Sequence, residues 1–483
     1  MLFHLAHAGS RRLAMLVLLL ASLVFYGYWN PVYLSLLLGS ITFNYLTSLA
    51  MQRHEVHQGK WLAVGCAFNL GLLAYYKYAS FIYANIFGAM GPENPFTSII
   101  LPLGISFFTF QQIAYLVDIR KERFPVPTPA TYALSITFFP HLIAGPIILF
   151  RNMRNQIEAV RKFSNPDLVK LQSGFILFCI GLFKKVVIAD SLAPFAVKVF
   201  DHAALPGLGV GGLDAWIGTT AYALQLYFDF SGYSDMAVGL ARMFGFRIPF
   251  NFHSPYKAKS PIEFWRRWHI SLMYFFREYL YIPLGGNRLG MKRQIANIMV
   301  VFFLTGLWHG AGWTFIVWGT LHGVLVSLNH LFIKTLKDGT HRLTKAYQHF
   351  LNRPKIAWAR QRGLGRFLTW GLTMYAVMIL WAVFRAKDLS TAWDVVSGLL
   401  FISSLDGTCL NYGFDRACGA FLLTPILAGV FFFTALAPNS RAITYWLLQK
   451  NYWWLAAALC GFCLYLSIAS IGNVQSEFLY FQF

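Results

Sequence analysis

Charge is what this chain has least of. Only 12% of its 483 residues are Asp, Glu, Lys or Arg, against about 25% in a soluble globular domain. Acids are scarcest, with 19 Asp and Glu against 40 Lys and Arg. Alternating ten-residue segments, the mark of a transmembrane β-barrel, are absent. Six cysteines in a chain of this length make no disulfide scaffold. No nucleic-acid module is present, and the basic residues are scattered between apolar runs, so the net charge of +21 does not point to DNA or RNA. No internal repeat is visible, and an inverted repeat would have favoured a transporter.

What the chain has instead is hydrocarbon: 57% of its residues are hydrophobic and 18% aromatic. Apolar runs near the ~20 residues that span a bilayer recur along the whole length. The expected fold is all-α and polytopic, with about eleven transmembrane helices plus re-entrant or interfacial pieces. A single membrane domain is expected over 1–483, with a core at about 99–331 and further spans at about 367–471.

Arg11 and Arg12 precede the first apolar run, and no small-residue cleavage site follows, so a retained anchor is expected. Lys77, among Tyr75, Tyr76 and Tyr78, reads as a lysine snorkelling to an aromatic belt. Pro102 and Gly104 at one run's start, and Pro140, Gly145 and Pro146 inside the next, predict bent or broken helices. His141 in that broken run reads either as cavity-lining or as structural. Lys334 to Arg366 holds nine Lys and Arg against one acid, so it reads as a cytoplasmic loop. The segment with Cys409 and Cys418 then faces outside, where oxidising conditions allow a disulfide. Cys460 and Cys463 have CxxC spacing within an apolar helix, where packing is the simpler reading.

One stretch breaks the apolar monotony. Between Leu226 and Gly312 lie Asp229, Tyr233 and Asp235, then Glu263 to Leu272 with Trp265, Arg266, Arg267 and His269, then Trp308-His309-Gly310-Ala311-Gly312. Ionisable groups at membrane depth are costly and mark functional sites by default. A continuous helix would put Trp265 and His269 on one face, and Glu263 within reach of Arg266 and Arg267. An amphipathic helix lying on the membrane also explains the tryptophans and arginines, though not the histidine. His309 follows a strongly apolar run. Imidazole suits proton transfer near neutral pH, and the two glycines let backbone or substrate come close. A general base and a neutral histidine bonded to a carbonyl both fit. His309 and His322 are thirteen apart, which on one continuous helix turns them to roughly opposite faces. No HxxxH motif is present, so no metal is expected. Asp229 would sit over Tyr233 and Ser231 over Asp235 on a helix, as a hydrogen-bonded scaffold or as an ion path.

Several of these runs resemble a known family. Gln225 to Ala237, Glu263 to Leu272, Tyr279 to Arg288 and Gly306 to Gly310 resemble the membrane-bound O-acyltransferases, and look most similar to the alginate O-acetyltransferase branch. Leu101 to Phe107, Phe139 to Pro146 and the ending Phe478 to Phe483 match the same branch. The resemblance covers most of the chain to about Arg385, then thins until that tail.

The resemblance implies a helical ring around a tunnel through the membrane. It implies that His309 is the catalytic histidine and that His269 holds a second polar position, which is asparagine in many eukaryotic members. It implies acyl transfer from a cytoplasmic thioester, acetyl-CoA, with a periplasmic acetyltransferase or esterase-like partner completing transfer to alginate or peptidoglycan. The setting would be the bacterial inner membrane, with lipids around the chain and no bound cofactor. Arg266 and Arg267 are candidates for the CoA phosphates. Asp229, Tyr233, Asp235, Trp265 and Trp308 are expected as scaffold around the tunnel. Carrier-dependent D-alanyl transfer to teichoic acid is the alternative enzyme, and an ion path through the acids and histidines the alternative class.

Overall fold

A computed structural model describes residues 10–88, 93–159, 167–347, 356–402, 410, 416–472 and 479. Among these, every regular element is a helix. Five helices are long and apolar enough to cross a membrane: Arg12–Trp29, Pro31–Arg53, Trp313–Thr335, Gly363–Arg385 and Trp453–Ser470. A bent pair, Leu423–Leu436 and Ser440–Gln449, meets the same test only when the two are taken together across a 53° bend. Other apolar runs are divided rather than continuous. The run from Leu171 to Phe200 is a helix, Leu168–Phe183, a turn of π-helix, Lys184–Ala189, and a second helix, Asp190–Ala203. The chain resolves into two compact units, both discontinuous in sequence. One comprises Met1–Val187, Asp229–Asn251 and Ser440–Phe483, the other Ile188–Phe228 and Phe252–Asn439.

In the first unit, Asn30 ends Arg11–Trp29 and starts Pro31–Arg53. Its side chain accepts from the Val32 N–H at 2.9 Å, and Pro31 occupies the first turn, where no N–H is needed. The expected breaks appear. Gly104 is left-handed, φ +71°, and starts Ile105–Glu122. A Cβ there would lie 2.6 Å from the Leu142 carbonyl oxygen, so only glycine permits this approach. The His141 run is cut into Pro129–Thr137, Phe139–Leu142 and Phe150–Ala159. His141 is buried, with Nδ1 3.1 Å from the Gln111 amide. Lys77 is half-buried, in a turn of π-helix.

Helix Leu168–Phe183 packs antiparallel on the second half of Gly212–Met243 through two reciprocal glycine pairs. A Cβ on Gly181 would lie 2.6 Å from the Gly232 oxygen, and one on Gly174 2.5 Å from the Gly239 oxygen. Small residues allow this close approach in a medium where apolar burial supplies no drive. The next turn then delivers two lysines to two acids. Lys184 lies 2.8 Å from Asp235 and Lys185 lies 3.0 Å from Asp229. The Ser440 hydroxyl donates to Asp235, and the Leu479 N–H to Asp229 at 3.0 Å. Cys460 and Cys463 are buried free thiols packed with Cys179, Ile176 and Leu447.

In the second unit, Gly290–His309 and Trp313–Tyr347 form a tight antiparallel hairpin. Gly306 and Gly319 face each other, a Cβ on Gly319 lying 2.8 Å from the Gly306 Cα. Ile356–Arg385 packs alongside, followed by Leu389–Leu399, which Asp388 caps by accepting from the Thr391 N–H at 2.8 Å.

The charged segment 334–366 departs from its expected loop. Trp313–Tyr347 stays helical well beyond its apolar part, and Ile356–Arg385 is helical before its own apolar part begins. Lys, Arg and Gln are good helix formers, so the charge pattern marks where hydrocarbon ends and not where the helix ends. Cys409 lies outside the described residues, as does the side chain of Cys418.

Candidate active site

Three buried histidines of the second unit gather around tryptophans. His309 is the last residue of Gly290–His309, where the extended Gly310 stops the helix. A Cβ on Gly310 would collide with the Phe315 ring, which packs 5.0 Å from Phe384. This glycine therefore makes room for an aromatic ring, where the sequence had pointed to close approach of backbone or substrate. The His309 ring lies 4.8 Å from Trp308, 5.1 Å from Trp318 and 5.3 Å from Phe384. Only 5% of the residue is exposed.

His269 reaches the same indole by another route. Ser260 caps Pro261–Arg267 by accepting from the Glu263 N–H at 3.2 Å, with Pro261 at the first position. The Glu263 carboxylate in turn accepts from the N–H of Lys259, the residue before the cap, at 2.9 Å. The helix then ends at Arg267. His269 is left-handed, φ +43°, and its carbonyl starts a second helix, Ile270–Phe276. The continuous helix expected through Trp265 and His269 is therefore broken between them. A non-glycine residue in this region costs roughly 1–3 kcal/mol, and histidine is among those that tolerate it. The bend takes the imidazole to full burial, 5.9 Å from Trp308. Trp308 thus touches both His269 and His309.

Trp265 turns instead to His322. Its indole N–H donates to His322 Nδ1 at 3.2 Å. Indole only donates, so Nδ1 accepts, and the neutral ring carries its proton on Nε2. Trp318 lies 4.9 Å from His322 and also touches His309. The opposite-face argument for His309 and His322 assumed one helix. The turn at residues 310–312 folds them into a hairpin, and both rings meet one indole. Among the described residues, no group of three or more His, Cys, Asp or Glu is arranged to hold a metal. Sequence reasoning missed His322 as a member of this cluster, together with Trp318, Trp381 and Phe384. The available signal was that Trp318 and His322 stand in the apolar run that follows the 310–312 glycine turn; Trp381 and Phe384, on the later helix Ile356–Arg385, carried none.

The two arginines separate. Arg267 pairs with Glu263, Nη2 to Oε1 at 2.7 Å and Nε at 3.0 Å, and Nη1 donates to the His253 carbonyl at 3.0 Å. Partial burial pushes the Glu263 carboxyl up, but the Lys259 N–H and the Arg267 guanidinium outweigh it and hold the carboxyl below its ordinary value. Arg267 therefore spends its fork on holding the helix. Arg266 is exposed. Asp229, Tyr233 and Asp235 belong to the first unit, where the two acids meet lysines.

Three buried imidazoles ringed by tryptophans, in a helical multi-pass membrane protein, form a candidate site whose side chains are of the type that takes up and returns a proton. Comparison with known proteins gives the family. The model described as MBOAT, membrane-bound O-acyltransferase family, matches residues 119–342. The peptidoglycan O-acetyltransferase of Helicobacter pylori is 37% identical, over 99% of this chain and 93% of its own length. A probable alginate O-acetylase of Azotobacter vinelandii is 40% identical, over 82% of this chain and 74% of its own. The teichoic acid D-alanyltransferase of Bacillus subtilis is 31% identical over 50% and 62%. The chain belongs to the membrane-bound O-acyltransferase family and is an acyltransferase.

Proposed function

We propose that this enzyme moves an acetyl group from cytoplasmic acetyl-CoA to the outer side of the bacterial inner membrane, for O-acetylation of an extracytoplasmic polysaccharide. The whole chain acts as one catalytic domain of about eleven crossings around a tunnel, and a periplasmic acetyltransferase or esterase-like protein completes the transfer. Peptidoglycan is the favoured acceptor. The peptidoglycan relative aligns with nearly the whole chain, C-terminal spans included, whereas the alginate relative aligns with 82%.

The observation supporting the chemistry is the single indole of Trp308 in contact with two buried imidazoles, His269 and His309. His309 accepts the proton of an acceptor hydroxyl as its oxygen attacks the thioester carbonyl. The new C–O bond forms, the C–S bond breaks, and the leaving thiolate takes the proton from the imidazolium. His269 polarises the carbonyl oxygen, an effect strengthened where water is excluded. Asp229, Tyr233 and Asp235 serve as scaffold within the first unit, Trp265 and Trp308 as scaffold of the histidine cluster in the second, and Arg266 binds the donor's phosphates.

Cells lacking the chromosomal copy and carrying either wild-type protein or His309→Ala supply the test. O-acetyl groups on purified peptidoglycan should return with the wild type and not with the variant, at equal membrane levels. Normal acetylation by the variant overturns the reading. Purified protein offered acetyl-CoA should release free thiol. Release from a D-alanyl carrier protein alone would move the enzyme to the teichoic-acid class, and ion flux without thiol release would make it a transporter.

A further inference from the structure

A recess of the same unit has a lining that includes none of the three clustered histidines. It has a volume of about 490 Å³ and lies between the turn Pro255–Lys257, the helix Pro261–Arg267, the stretch of Ile356–Arg385 around Arg366 to Trp370, and the end of Arg416–Leu436. Four cations border it, Lys257, Lys259, Arg267 and Arg366, against one carboxylate, Glu263. Arg267 already neutralises Glu263. Among the described residues, Lys257, Lys259 and Arg366 have no carboxylate within ion-pair distance. Lys257 is tied down by donating to the Leu436 carbonyl at 3.0 Å, where the end of a helix dipole welcomes a cation. Partial desolvation and the nearby Arg267 guanidinium hold its ammonium below the ordinary value.

The floor of this basic recess is aromatic. Trp370 donates its indole N–H to the Tyr256 carbonyl at 2.8 Å and packs 5.3 Å from Phe432. Trp370 and Phe432 also border an adjoining slot of about 310 Å³, lined by Gly371, Met374, Met378 and Leu427 among others. A charged mouth and an apolar slot thus share two walls. The rim faces outward, with Phe367 57% and Leu436 79% exposed, as suits side chains bathed in lipid. Nine Lys and Arg in the segment ending at Arg366 put this rim at the cytoplasmic face. That leaflet carries the negative surface potential of anionic lipids.

We propose that the recess binds one anionic phospholipid of the cytoplasmic leaflet. Its phosphodiester sits among Lys257, Lys259 and Arg366, and one acyl chain runs past Trp370 into the slot beside Gly371. The mouth excludes a zwitterionic headgroup less by shape than by charge, since each cation near the surface attracts anionic lipid independently. The site does not depend on which acyl group the enzyme carries.

Native mass spectrometry of the full chain, released from vesicles of phosphatidylglycerol or of phosphatidylcholine, tests it. Wild-type protein should retain one phosphatidylglycerol and no phosphatidylcholine. Lys257→Gln/Lys259→Gln/Arg366→Gln should lower that retention at least about tenfold. Gly371→Leu keeps every charge and fills the slot, and a Cβ at Gly371 meets nothing within 4 Å. It should lower retention while leaving the thermal midpoint in detergent unchanged, so a triple variant that fails to fold leaves the test intact. Retention unaltered in Gly371→Leu overturns the proposal. So does displacement of the lipid by CoA with loss of CoA binding in the triple variant, which would make the mouth a donor site.

Discussion

Trp318 lies 5.1 Å from His309 and 4.9 Å from His322, so the two histidines share one indole although they sit on different helices of a hairpin. Everything about that hairpin follows from the turn at 310–312. The aromatic ring set around it, Trp308, Trp318, Phe315 and Phe384, keeps the His309 imidazole out of water and in fixed orientation.

His309→Gln keeps a side chain of similar size and removes the base. Thiol release coupled to acceptor acylation should fall by about 10²–10⁴-fold, the range for a positioned acid–base group. The measurement is single-turnover kinetics in vesicles, with membrane insertion checked by protease protection.

Trp265→Phe retains the ring and deletes the donor to His322. A buried acceptor left unsatisfied costs about 1–3 kcal/mol. The variant should unfold earlier in a detergent-melt experiment. Trp265→Phe with His322→Phe should recover part of that loss, because both polar partners are then gone.

Lys184→Met leaves the Asp235 carboxylate buried, with the Ser440 hydroxyl still donating to it. Removing one member of a buried pair costs about 3–5 kcal/mol, whereas replacing both by apolar side chains is often near neutral. Lys184→Met should therefore be strongly destabilised and Lys184→Met/Asp235→Leu much less so, read as melting midpoints.

Gly181→Ala forces a methyl group against the Gly232 carbonyl. Overpacking of this kind costs about 1–3 kcal/mol. Gly371→Ala, where a Cβ meets nothing, is the control and should melt with the wild type.

Asp388 gives the pH prediction. The backbone N–H of Thr391 holds its carboxyl below the usual value, against a smaller opposing effect of burial. The folded value lies below the unfolded one, about 3.9. The stabilisation is therefore present above that pH and lost as pH falls toward the folded value. Asp388→Asn keeps the cap and should flatten the acid limb of the melting profile. Asp388→Ala should lose about 1 kcal/mol at neutral pH.

Composition made the fold class legible, because nothing else accounts for so little charge among so many apolar residues. The motifs around His269 and His309 made the family legible. The local backbone was less so. Glu263 and Arg267 do pair as their spacing says, but a helix through Trp265 and His269 satisfies every propensity, and the break comes from burial of the histidine against Trp308. The charged segment after Lys334 misled because helix propensity and hydrophobicity part company there. His322 stayed hidden because spacing along a sequence says nothing once a three-residue turn reverses the chain.

The left-handed turn at His269 also limits what can replace it. Asparagine adopts positive φ readily, so a carboxamide can stand in for the imidazole without rebuilding the bend. Valine or isoleucine cannot, because a β-branched side chain is a true outlier there. The position is thus free to change its hydrogen-bonding chemistry while its backbone stays closed to most of the genetic code, and mutational tolerance there should track the turn before it tracks the reaction.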